Sequence, residues 1–155
     1  YQGRGPVALG GVEYGGNSNE GRASTNEKTN HVTYYSEAFK SLQTLNRTAD
    51  HEVGGHVGTT SEFRLDVDTV AGRPGYPGHF DIYDSTGTLM NEYENSFSKV
   101  SEEWAVTNYE AGASAIRGPL SPRELHHQQH YLEQYGGALR SVDPELPGEV
   151  LRRWP

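Results

Sequence analysis

The chain has 155 residues, a length typical of one domain with a single core. Its net charge of −8 repels a phosphate backbone, and no apolar run approaches the roughly 20 residues that span a bilayer. It contains no cysteine, so disulfides and thiolate metal sites are excluded. These features predict a soluble domain for which nucleic acid and membrane are disfavoured partners.

Residues 1–30 are rich in Gly, Asn, Ser and Glu and show little hydrophobic periodicity. They predict a flexible lead-in of coil with one short strand near residues 7–9. No charged-then-apolar signal segment opens the chain. It begins with Tyr1 rather than Met, so we expect a piece of a longer protein. We therefore divide the chain into a lead-in, 1–30, and a functional domain, 31–155.

The next segment predicts a strand that leads into helices. Residues 31–35 are β-branched and aromatic, which favours a strand, and Ser36 then has the character of a helix start. Residues 45–57 predict a further helix, although Gly54 and Gly55 each cost about 1 kcal/mol relative to Ala. Two adjacent glycines inside a helix require an explanation.

The middle of the chain predicts a hairpin. Apolar and polar residues alternate over 63–70, which is strand periodicity, and residues 79–83 predict a second strand. The Gly/Pro-rich segment 72–78 would join the two strands.

The last third predicts two helices. Apolar residues over 92–116 recur at helical spacing and end near Gly118, and Pro122 then opens a helix that Gly136 and Gly137 stop. The order of elements predicts an α+β fold.

The segment with the clearest chemistry is His51-Glu52-Val53-Gly54-Gly55-His56. Zinc peptidases hold the ion with two histidines of one helix, and a glutamate beside the first histidine takes the proton of water. Here the histidines are at i and i+5, about 140° apart on a regular helix and unable to share a metal. A one-residue π-type bulge restores the common face, and a Gly-Gly pair is the least costly backbone to distort.

This segment resembles the zinc helix of dipeptidyl peptidase III, which carries His-Glu-x-x-Gly-His. That family takes its third zinc ligand from the second glutamate of a Glu-Glu-x-Arg-Ala motif. Here Glu102-Glu103-Trp104-Ala105 places Glu103 47 residues after His56, without the arginine. The resemblance implies that His51, His56 and Glu103 bind Zn²⁺ and that Glu52 is the general base.

Glu102 to Glu110 is also similar to the Glu-x-x-Ala-Val-x-x-(Asn/Tyr)-Glu segment of Rhs-type toxin-tip zinc metallopeptidases. This resemblance implies a small zincin-like domain with a short sheet and a distorted zinc-binding helix. It also implies a zinc metallopeptidase, the effector portion of a larger bacterial protein that is secreted or delivered into a target cell. The substrate would be a protein or peptide, and an immunity protein is a further candidate partner. Tyr109 and Tyr131 are the candidates that would steady the oxyanion.

Some ligand assignments stay open. Glu102, Glu92 and His79 compete with Glu103 for the third position. Asp50 is either a helix cap or an acceptor that orients an imidazole.

Two other functions remain as alternatives. In the segment 125–130, Leu-His-His-Gln-Gln-His, His126 and His130 stand at i and i+4, and Leu-His-His is similar to metal-dependent His-Asn-His nucleases, with His126 or His127 in the active site. The other alternative is a non-catalytic binding module stabilised by a closed zinc site, which would need a fourth ligand such as His79 or Asp81.

Overall fold

The computed structural model describes residues 9–18, 21–84 and 86–155. The described chain is an α+β fold, as expected. Its strands are β1 (Gly11–Tyr14), β2 (Ala23–Asn26) and β3 (His31–Tyr34). Its α-helices are α1 (Leu42–Ala49), α2 (Ser61–Ala71), α3 (Phe97–Arg117), α4 (Pro122–Val142) and α5 (Leu146–Arg153). The chain divides into a first unit, residues 1–58 and 108–127, and a second unit, residues 59–107 and 128–155.

The three strands form one sheet in the first unit, in the order β1-β3-β2. β1 runs parallel to β3, and β2 runs antiparallel to it with Thr25 opposite Val32. The strand predicted over residues 31–35 is confirmed by β3. The coil predicted for the lead-in is wrong at β1 and β2, which are only four residues long and pair with β3. Residues 7 and 8 of the other predicted strand lie outside the described residues.

The helix predicted over 45–57 is present, in two parts. Ser41 caps α1, because its hydroxyl accepts a hydrogen bond from the backbone N–H of Thr44 at 3.1 Å. A π-helical segment, Asp50–Val57, continues directly from α1. A 3-10 helix, Ser36–Phe39, lies where the helix start after the strand was expected.

The hairpin predicted from strands over residues 63–70 and 79–83 is wrong, because Ser61–Ala71 form the helix α2. The Thr60 hydroxyl accepts from the N–H of Phe63 at 3.1 Å and caps the helix. Phe63, Val67 and Val70 are buried at i, i+4 and i+7, whereas Leu65 is exposed. The same eight residues fit an alternating and a helical pattern, and the cap decides between them.

The strand predicted over residues 79–83 is reduced to isolated bridges, His79 with Ser96 and Tyr83 with Leu89. Asn95 holds this irregular segment together. Its buried side chain accepts from the N–H of Ile82 and donates to the C=O of Met90, both at 2.9 Å.

The C-terminal helices differ from the prediction at their ends. α3 begins at Phe97 rather than at residue 92, and α4 passes through the two glycines that were expected to stop it. Gly136 is required by packing, because a Cβ there would lie 2.8 Å from Cζ3 of Trp104. No described helix is both long enough and apolar enough to cross a membrane.

The second unit contains the main apolar core. It is formed by α2, α3, α4, α5 and the segment before α3, through residues Phe63, Val67, Val70, Ile82, Phe97, Val100, Ala105, Tyr135, Leu139, Leu146 and Val150.

Candidate metal centre

The π-helical segment brings the two predicted histidine ligands together. A π-helix bonds residue i to residue i+5, so two residues at this spacing lie on the same face. The imidazole rings of His51 and His56 have centroids 4.9 Å apart and planes inclined by 71°. The predicted distortion of the helix is therefore present at the predicted residues.

The glycine at position 54 is explained by a close contact with Tyr109 of α3. A Cβ at this position would lie 2.4 Å from Cε1 of Tyr109 and 2.7 Å from its hydroxyl oxygen. Any larger side chain would displace the ring or the π-helical turn. Gly54 therefore permits both the distorted backbone and the approach of a tyrosine that was predicted as a site residue.

Two groups of three side chains among the described residues have ligand atoms within 4.8 Å of one another and could hold a metal ion. One group is His51, His56 and Glu103, and the other is Glu27, His56 and Glu102. The three ligands predicted from the sequence thus occur in a single group. Glu27 was missed because it falls in the polar lead-in, where no motif marks it.

The rival ligand Glu102 has a strong partner of its own. Nε of Arg64 donates to its Oε1 at 2.9 Å. Lys99 Nζ lies 3.7 Å from an oxygen of Glu102 and 3.8 Å from one of Glu103. Both carboxylates are buried, which requires compensating charge or a ligand.

Glu52 is buried beside His51, and its carboxylate is oriented by β2. The hydroxyl of Thr25 donates to Oε2 of Glu52 at 2.6 Å. Burial, and then the negative charges of Glu52 and Asp50, raise the pKa of the Tyr34 phenol.

The His51 ring also meets a carboxylate. Its Nδ1 lies 3.2 Å from Oε1 of the buried Glu110. Burial by itself raises the pKa of Glu110, but the close contact with His51 and the positive charges of Arg22 and Arg47 hold that pKa well below its usual range. Glu110 is therefore ionised at neutral pH.

The other residues singled out in the sequence have different surroundings. Asp50 forms an ion pair with Arg117 rather than a helix cap. Tyr131 packs against the core of the second unit and stacks on Tyr135, with ring centroids 5.8 Å apart. His79, Asp81 and Glu92 are exposed and belong to neither metal group.

The histidines of the nuclease alternative also lie outside both metal groups. His126 and His130 are exposed. His127 is half-buried, with Nδ1 3.2 Å from the guanidinium of Arg47.

No protein-family model, no curated protein and no solved structure matches this chain. The chemistry is therefore inferred from the geometry of the site.

Proposed function

We propose that this chain is a zinc-dependent peptidase, with His51, His56 and Glu103 as zinc ligands and Glu52 as general base. The proposal is carried by one observation. The π-helical segment places two histidines on one face, in a group that also includes the glutamate expected from the sequence.

The donor set is chemically appropriate for zinc. Two imidazole nitrogens and one carboxylate oxygen are borderline and hard ligands, and catalytic zinc sites typically use three protein ligands and leave one position open. When bound, zinc supplies a Lewis acid that makes water more acidic and polarises a carbonyl oxygen.

The work of Glu52 is to move a proton. Its carboxylate would take the proton of the attacking water and give it to the departing amine of the peptide. The hydrogen bond from Thr25 fixes one carboxylate oxygen and so limits the rotation of the group. Tyr109, next to Gly54, remains the better-placed candidate to steady the oxyanion, since Tyr131 has a clear packing role.

A protein or peptide substrate fits the surroundings of Glu52. β2 is an edge strand of the described sheet, and extended peptides bind to such edges by main-chain hydrogen bonds. The resemblance to toxin-tip metallopeptidases is what suggests that the chain is an effector, secreted or delivered to a target cell, that cleaves a protein there.

The first test is metal content by elemental analysis of the purified chain. We expect one zinc per chain, retained in Glu52→Gln and lost in His56→Ala. His126→Ala is the matched control, because it removes an exposed histidine and should retain zinc. Zinc that is lost in His126→Ala but kept in His56→Ala would refute the proposed site and favour the alternative segment.

The second test is cleavage of a peptide library, with products identified by mass spectrometry. Glu52→Gln should keep its zinc and lose about 10²- to 10⁴-fold of activity, the usual contribution of a general base. Equal activity in the variant would exclude Glu52 as the base. Nicking of plasmid DNA by the wild type, lost in His127→Ala, would identify a nuclease.

A further inference from the structure

A buried arginine connects α1 to α3 and α4 within the first unit. Arg47 is only 2% exposed, which is unusual for a side chain that is always charged. Its Nε donates to Oε2 of Glu110 and its Nη1 donates to Oε1 of Glu124, both at 3.0 Å. Its Nη2 lies 3.2 Å from Nδ1 of His127. All three guanidinium nitrogens therefore have a partner.

The same network reaches the candidate zinc ligand. One carboxylate oxygen of Glu110, Oε2, accepts a hydrogen bond from Arg47. The other oxygen, Oε1, lies 3.2 Å from Nδ1 of His51. Arg22 also donates to Oε1, at 3.3 Å. Arg47 lies four residues before His51, in the last turn of α1, and the π-helical segment that contains His51 continues directly from α1. Glu110 therefore contacts two residues of one continuous helical stretch.

We propose that Glu110, locked by Arg47, is a positioning residue that fixes the His51 ring and reserves its Nε2 for the metal. This inference rests on the proposed function. A carboxylate at Nδ1 selects the tautomer with a proton on that nitrogen and leaves the other nitrogen as ligand. Arg47 holds the carboxylate in place through its Nε, which donates to Oε2 of Glu110 at 3.0 Å.

A contribution to fold stability alone does not explain this buried network. Buried ion pairs often contribute little net stabilisation, because desolvation offsets the attraction. Glu110 and Glu124 both bind Arg47, but only Glu110 contacts His51. A merely structural network would make the two glutamates equivalent in their effect on zinc, whereas a positioning role would not.

The test is the zinc dissociation constant of the whole chain, measured by competition with a chelator. Glu110→Gln should bind zinc about 10- to 100-fold more weakly, as is typical when the partner of a ligating histidine is removed. Glu124→Gln is the matched control and should leave the dissociation constant unchanged. Glu110→Asp keeps the charge facing Arg47 but shortens the side chain, so it should also weaken zinc binding if Glu110→Gln does not fold.

Wild-type affinity in both Glu110 variants would overturn the positioning role and leave the peptidase site intact. A wild type that binds no zinc would instead overturn the proposed function. In that case the His51 tautomer, read from ¹⁵N NMR of the metal-free chain above pH 8, decides the inference. An Nδ1–H tautomer that is lost in Glu110→Asp supports it, and an unchanged tautomer refutes it.

Discussion

Gly54→Ala is the substitution that best tests the contact between the π-helical segment and Tyr109. The added Cβ would lie 2.4 Å from Cε1, 2.7 Å from the hydroxyl oxygen and 2.9 Å from Cζ of that ring. These distances are well inside the roughly 3.5 Å at which carbon atoms attract each other. Either the ring moves or the turn that carries His51 and His56 shifts.

Two effects of opposite sign set the change in the free energy of unfolding caused by Gly54→Ala. Replacing a helical glycine by alanine normally stabilises a protein by about 1 kcal/mol. Inserting a methyl group into occupied space costs about 1–3 kcal/mol. We therefore expect a net loss of up to about 2 kcal/mol in the wild-type background. In a Tyr109→Ala background, the overlap disappears and the same change should be stabilising.

The assay is a double-mutant cycle on the free energy of unfolding, measured by urea denaturation. The expected coupling energy between positions 54 and 109 is about 1–3 kcal/mol, equal to the steric cost. Tyr109→Phe is the matched control, because it keeps the clashing ring carbons and should retain most of the coupling. A Gly54→Ala substitution that stabilises both backgrounds equally would refute the contact.

Two further predictions concern pH and packing. Burial, and then the charges of Arg22 and Arg47, lower the pKa of His127 to about 4. The unfolded chain therefore takes up this proton first, and stability should fall between about pH 6.5 and 4, by at most about 3 kcal/mol. Urea denaturation across that range should show a steeper loss for wild type than for His127→Gln, and equal slopes would contradict the assignment. Gly136→Ala should be destabilising by up to about 2 kcal/mol, because the clash with the Trp104 ring exceeds the gain in helix propensity, whereas Gly137→Ala, with open space at its Cβ, should gain up to about 1 kcal/mol. Equal shifts in melting temperature for the two alanine variants would contradict the packing.

The sequence by itself indicated the helix distortion that a shared metal site at His51 and His56 would need. The spacing of His51 and His56, with two glycines between them, required a π-type distortion for a shared metal, and the segment Asp50–Val57 has that conformation. The distortion can be predicted from the sequence because the constraint is local: a single helical turn has to bring both histidines to one face. Glu103 came instead from resemblance, and it is in the same metal group.

Patterns of apolar residues were a weaker guide to the fold. The alternation over residues 63–70 favoured a strand, but the cap at Thr60 and the burial of Phe63, Val67 and Val70 make α2 a helix. β1 and β2 were not expected, because each is only four residues long and is ordered by pairing with β3. Gly136 did not stop α4, because the space it leaves is filled by Trp104.

Only the tertiary structure decided which polar residues support the site. Thr25 and Glu27 lie in a segment without any motif, yet they meet Glu52 and His56. Nothing in the sequence distinguishes Arg47 from any other helical arginine. Folding nevertheless buries it against Glu110, 63 residues away in the chain, and Glu124, 77 residues away. Ligand spacing is fixed by the geometry of one helix and can be read from adjacent residues. The side chains that contact those candidate ligands come from distant segments, and only chain packing brings them together.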